Sequence, residues 1–120
     1  MDAQPRPRVY AGTLVFALGL VHQAIGIVFA GDPVLAIVQA GLFDAVGQDS
    51  NRQFGFWFVF AGFLTMLFGL ALRELERGPG VPKAIVSGFF ALVVLGSIAL
   101  PLSPFPILLI PALILIRNAR

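Results

Sequence analysis

Three long stretches of this chain contain no charged side chain: residues 9–31, 53–72 and 84–116. A transmembrane helix needs about 20 apolar residues to cross roughly 30 Å of hydrocarbon, so each of the first two stretches is long enough for one crossing. Charged residues make up 12% of the 120 residues, whereas a soluble domain averages about 25%. So few charges cannot cover a soluble surface, and the composition therefore predicts a membrane protein and excludes a soluble globular enzyme.

The third stretch is too long for one helix, and it is interrupted by four prolines: Pro101, Pro104, Pro106 and Pro111. The segment 101–104 predicts a tight turn, with Ser103 as the N-cap of the next helix and Pro104 at its first position. In the linker between the first two stretches, Asp32 followed by Pro33 predicts the start of a short helix.

The predicted fold is all-α, a single domain over residues 1–120. It is a polytopic membrane four-helix bundle with a short interfacial or re-entrant helix between helices one and two. The four predicted spans are residues 9–30, 53–73, 82–100 and 104–118, and the short helix covers about 33–40. Helices one and two both carry glycine at every seventh position, which returns to nearly the same helix face. Such small-residue stripes let helix backbones approach closely in lipid.

The basic residues are distributed unevenly around these spans. Seven of the eight flank the N-terminus, the link between helices two and three, and the C-terminus, and only Arg52 lies in the other linker. The positive-inside rule then predicts that both termini are cytoplasmic in a bacterial inner membrane. With a net charge of only +2, the chain is not expected to bind nucleic acid.

His22 is the only histidine, and it lies in predicted helix one between Gly19 and Gly26, close to the glycine stripe. An ionisable side chain inside a membrane is costly and therefore indicates a functional role. His22 is predicted to transfer a proton, to anchor a ligand carbonyl or to ligate a cofactor. The alternative is a neutral imidazole bonded to Ser, Thr or a backbone carbonyl of another helix. Without a second histidine or any cysteine, no metal site is predicted.

Other candidate residues surround His22 in the predicted topology. Asp44 is predicted to fold back over helix one and act with His22 as an acid–base pair, or else to remain in headgroup water. Gln23 and Gln39 are expected to add hydrogen bonds to a ligand. Trp57 and Phe58 either wall an apolar pocket or belong to an interfacial aromatic belt. Thr65 is assigned to ligand contact or to an interhelical hydrogen bond.

The charged end of helix two is predicted to be solvated. Arg73, Glu74, Glu76 and Arg77 form pairs at three-residue spacing, which stabilise a helix end by a few tenths of a kcal/mol. No chemistry is assigned to them.

The layout resembles the small four-helix DoxX-like bacterial membrane proteins. The similar features are the Gly19-x-x-His22-x-x-x-Gly26 motif, the connector that ends near Asp44, the aromatic opening of helix two around Trp57, and Pro101-x-Ser103. Some DoxX-like proteins are subunits of quinone-linked redox systems, so the resemblance implies a quinone-like ligand. No other cofactor is predicted.

Three functional hypotheses follow. The first is a multi-pass inner-membrane protein that binds a small quinone- or isoprenoid-like molecule in the outer half of the bundle. The second is a membrane-embedded isomerase, cyclase or epoxide-opening enzyme that uses His22 and Asp44. The third is a non-catalytic structural subunit of a membrane complex. The expected partners are the lipid bilayer, the lipophilic molecule, and a homo-oligomer or membrane-complex partner.

Overall fold

The computed structural model describes residues 8–119, and all regular secondary structure in that range is helical. The helices are α1 (Ala11–Phe29), α2 (Gly31–Gln39), α3 (Ser50–Arg77), α4 (Lys83–Ala99) and α5 (Leu109–Asn118), with a 3₁₀ helix (Phe105–Leu108) directly before α5. The all-α prediction is confirmed. Arg6 and Arg120, which contribute to the predicted charge asymmetry, lie outside the described residues.

Helix α3 is longer than the predicted 53–73 at both ends. At its start, Asp49 Oδ1 accepts the backbone N–H of Arg52 at 2.8 Å, a capping bond that allows the helix to begin at Ser50. At its end, the charged segment through Arg77 continues the helix, because Arg, Leu and Glu are good helix formers whatever their hydropathy.

The predicted fourth helix forms in two parts, a 3₁₀ turn and then α5. Ser103 Oγ accepts the N–H of Phe105 at 3.2 Å and donates to the carbonyl of Leu100 at 2.7 Å. The N-cap residue of the 3₁₀ turn is Pro104, so the prediction of Ser103 at that position is wrong by one residue. Pro111 is buried in the first turn of α5, where its missing N–H costs little.

The described residues form two compact units. One unit is Phe16–Phe68 and holds most of α1, all of α2 and the first part of α3. Glycines bring its helices close together: a Cβ on Gly19 would meet Met66 and the carbonyl of Gly62, and a Cβ on Gly55 would meet Pro33 of α2. The glycine stripes therefore lie where the backbones approach most closely.

The other unit comprises residues 8–15 and 69–119. Its core includes the fully buried side chains of Val15, Leu72, Val93 and Leu115. A Cβ on Gly12 would overlap the backbone of Arg73, whereas a Cβ on Gly88 would meet nothing within 4 Å. Of the two, only Gly12 is required by helix packing.

Two helices, α1 and α3, are long and apolar enough to cross a membrane. Only 22% of the most apolar 18-residue window in each is buried. Large apolar side chains such as Leu20, Ile27 and Leu67 are exposed along them. Helix α4 and the segment Phe105–Asn118 are also apolar but shorter.

Candidate functional site

His22 projects from α1 onto the aromatic start of α3. Its ring stacks on that of Phe58, with centroids 4.1 Å apart and an interplanar angle of 17°. His22 Nε2 is 2.8 Å from the carbonyl oxygen of the same residue. Because a carbonyl oxygen can only accept a hydrogen bond, Nε2 carries the hydrogen. This is the bond to a backbone carbonyl that the sequence analysis gave as the alternative to a functional role.

Gln23, the next residue on α1, makes the same kind of contact one position further along α3. Its amide Nε2 donates to the carbonyl oxygen of Val59 at 3.0 Å. The amide oxygen, Oε1, is buried and has no hydrogen-bond partner among the described residues. Buried polar atoms are nearly always hydrogen-bonded, so this oxygen marks a place where the protein alone leaves a polar group unsatisfied.

Gln23 also lines a cavity of about 230 Å³ that is open to the surface of the protein. The other lining residues carry apolar side chains or none, and they come from α1, α2, α3 and the residue that joins the first two: Gly26, Ile27, Ala30, Gly31, Val34, Val59 and Phe63. An apolar cavity of about 150 Å³ is large enough to bind benzene, so this one has room for a ring or a short branched chain.

The predicted site residues do not all gather at this cavity. Gln23 lines it, and His22 and Phe58 contact one another beside Gln23. Trp57 does not line it; its ring is 61% exposed and packs edge-on against Phe56 and Phe60. Gln39 is exposed at the end of α2.

Asp44 and Thr65 are also held in other arrangements. Asp44 is exposed in the loop after α2, in a left-handed conformation with φ of 50°. Within residues 8–119 no hydrogen bond joins it to His22. Thr65 donates to the carbonyl of Ala61 in its own helix at 2.8 Å, so the predicted interhelical bond is wrong.

Within residues 8–119, no three side chains of His, Cys, Asp or Glu lie close enough together to hold a metal ion. Asp44 and Asp49 remain loop residues, and Asp49 is engaged in capping α3.

From the aromatic start of helix two, the sequence favoured Trp57 and Phe58 as wall residues. The cavity is instead lined by Phe63, a ring of the same segment, and by Val59, which has no aromatic signal. A helix returns to the same face after three or four residues, so Val59 and Phe63 lie together on one face. The same spacing relates Gly26 on α1 to Ala30, the residue directly after that helix. To choose this face, one must know which side of α3 packs against α1. The residue types alone do not give that information.

Glu76 is a second polar residue whose role was missed. Its side chain is only 6% exposed, and its two carboxylate oxygens accept the backbone N–H groups of Ala11 at 2.9 Å and Gly12 at 2.7 Å. The first N–H groups of a helix have no partner within the helix, and α1 has no acidic residue in its first turn. Glu76 therefore caps α1 from another helix, and the prediction that it is solvated is wrong.

The fold and the cavity together define a small all-α protein with an apolar pocket, one of whose lining residues, Gln23, carries a buried oxygen without a partner among the described residues. The chain belongs to a family of unknown function, DUF6463, whose profile matches residues 6–120. No curated protein and no solved structure matches the chain.

Proposed function

We propose that this chain is a multi-pass membrane protein that binds a small lipophilic molecule in the cavity lined by Gln23. The membrane assignment is supported by α1 and α3, which are long enough to span a bilayer. The core helix of a soluble protein of similar length would be mostly buried, whereas only 22% of the apolar window of each of these two helices is buried. Acyl chains would cover that surface without an energetic cost.

In this proposal α4 and the segment Phe105–Asn118 complete a four-helix bundle in the bacterial inner membrane. The segment Phe105–Asn118 is short for a crossing, and Arg117 at its end can extend to the interface by snorkelling. The positive-inside rule orients the bundle with both termini in the cytoplasm. The Gln23 cavity then belongs to the outer half of the bundle, because Gln23 lies in the second half of α1.

The ligand proposal rests on two observations: an apolar cavity of about 230 Å³, and on one of its lining residues a buried amide oxygen without a partner in residues 8–119. Binding pockets are mostly apolar and contain a few convergent polar groups that orient the ligand. Quinone- and isoprenoid-like molecules have matching chemistry, since each joins a small polar group to a branched apolar chain. We propose no other cofactor.

The enzymatic hypothesis receives less support from the geometry. A general base must lie within hydrogen-bond reach of its partner or act through one water. His22 Nε2 is engaged by the carbonyl of Phe58, and the exposed Asp44 has no bond to the ring among the described residues. We therefore propose binding and assign no reaction.

The experiment is to fill the cavity. Val34→Phe adds a ring to a lining residue, and Val38→Phe, one turn later on α2 at an exposed site, is the matched control. The full-length protein in nanodiscs is titrated with a short-chain quinone and with farnesol, and binding is measured by calorimetry. We expect Val34→Phe to weaken binding at least tenfold and Val38→Phe to change it less than twofold. Equal binding by both variants, or no binding by the wild-type protein, would refute the proposal.

A further inference from the structure

Adjacent side chains of α1 direct their hydrogen-bond donors at consecutive carbonyls of α3. His22 Nε2 donates to the carbonyl oxygen of Phe58 over 2.8 Å, and Gln23 Nε2 donates to that of Val59 over 3.0 Å. This arrangement fixes the amide orientation, because turning the amide around would place two oxygens against one another. It also places a hydrogen on Nε2 of the His22 ring.

The buried polar atom that lacks a partner among the described residues is an acceptor. This atom is Gln23 Oε1. The most favourable polar group for a ligand to bring to Gln23 is therefore a donor.

We propose that the ligand of the Gln23 cavity is a lipophilic alcohol or phenol whose hydroxyl donates a hydrogen bond to Gln23 Oε1. This inference rests on the proposed function and specifies the chemical class of its ligand. A hydrocarbon has no donor, and an oxidised quinone presents only acceptor oxygens. A quinone oxygen can accept the second hydrogen of Gln23 Nε2, but it cannot donate to Oε1 and would leave that oxygen without a partner.

The surroundings of Oε1 favour a narrow hydroxyl group with an apolar body. The oxygen lies between two glycines: a Cβ on Gly62 would overlap it, and a Cβ on Gly26 would be 3.9 Å away. The remaining cavity wall is apolar, with Ile27, Val34 and Phe63 from three helices. A cavity of about 230 Å³ accepts a phenol ring or the first branched units of an isoprenoid alcohol, and the rest of the chain would extend along the exposed apolar surface.

The decisive comparison changes the ligand and leaves the protein intact. Farnesol and farnesyl methyl ether have the same chain, but only the alcohol has a donor. A hydrogen bond to a buried acceptor that otherwise has no partner strengthens binding about tenfold. We therefore expect wild-type protein in nanodiscs to bind farnesol about tenfold more tightly than the ether. A short-chain quinol and its quinone form a second pair, which shows whether a phenolic hydroxyl is preferred to the aliphatic one.

A variant pair assigns the preference to Gln23. Gln23→Met keeps the length of the side chain but removes the acceptor, and the affinities for farnesol and the ether are expected to converge within twofold. Gln39→Met, at an exposed glutamine outside the cavity, should keep the tenfold preference. Circular dichroism of each variant verifies that the helices are retained.

The outcomes separate this inference from the proposed function. If alcohol and ether bind wild-type protein equally and Val34→Phe blocks both, lipophile binding stands and the inference of a donor ligand is overturned. A preference that survives in Gln23→Met also overturns it, because the acceptor then lies elsewhere. If neither compound and neither member of the quinol pair binds, the proposed function fails and this inference with it.

Discussion

Replacing Glu76 should destabilise the protein far more than replacing the neighbouring Glu74. Glu76 is buried and accepts two backbone N–H groups at the start of α1, at 2.9 Å and 2.7 Å. Glu74 is 71% exposed, and within residues 8–119 its one ion pair is with Arg77 on the same helix, at 3.5 Å. The two residues have the same charge and lie two positions apart, so each is a control for the other.

The magnitude follows from the bonds that Glu76→Gln would remove. A hydrogen bond to a charged acceptor contributes about 1.5–3 kcal/mol. The amide keeps one accepting oxygen, but its nitrogen faces a backbone N–H, which is then buried without a partner at a further cost of about 1–3 kcal/mol. Since the two costs overlap, we expect Glu76→Gln to lower the free energy of unfolding by about 2–4 kcal/mol. An exposed pair such as that of Glu74 is worth about 0–1 kcal/mol.

The assay is reversible unfolding of the full-length protein in mixed micelles, followed by circular dichroism as the fraction of denaturing detergent is raised. Wild type, Glu76→Gln and Glu74→Gln are compared under identical conditions. If the two variants have the same free energy of unfolding, the Glu76 cap does not stabilise the protein and the reasoning is refuted. Amide hydrogen exchange at Ala11 and Gly12 provides a local measurement, with faster exchange expected only in Glu76→Gln.

Three further predictions concern packing, the His22 contact and topology. Gly12→Ala should destabilise by more than 1 kcal/mol because its methyl group would overlap the α3 backbone. Gly88→Ala, with open space around it, should be neutral or stabilise by up to about 1 kcal/mol; the reverse order in the same unfolding assay would contradict the packing described. His22→Phe keeps a ring for stacking and loses one hydrogen bond, so the free energy of unfolding should fall by about 0.5–1.5 kcal/mol. A larger decrease would mean that the His22 ring has another partner. Because the chain contains no cysteine, Gln48→Cys and Pro79→Cys can each be labelled alone in spheroplasts with an impermeant maleimide; only Gln48→Cys should react before permeabilisation, and the opposite pattern would reverse the proposed topology.

The helices themselves were largely predictable from the sequence. Long uncharged segments, the proline cluster at 101–111 and the Asp32-Pro33 start are local signals, and each corresponds to an element or a break in the structure. The predicted end of helix two at residue 73 was wrong because hydropathy falls there while helix propensity does not. Reading hydropathy alone therefore ended α3 a full turn too early.

The candidate site was predictable only in part. The sequence drew attention to α1 around His22 and to the start of α3, and contacts between these segments are present. It selected Trp57 because large rings are conspicuous, but Val59 and Phe63 line the cavity. The rotation of α3 about its axis decides between these residues, and close packing at the glycines sets that rotation.

The sequence by itself determined that the chain is helical and that its apolar residues are too numerous to be hidden from the surroundings. These properties follow from composition and from the order of residues within each segment. Only the tertiary structure decided that Glu76 caps α1 and that the amide oxygen of Gln23 finds no partner in the described part of the chain. Both features depend on contacts between two different helices. The residues in contact are more than thirty positions apart, so no local sequence pattern predicts that they will be neighbours.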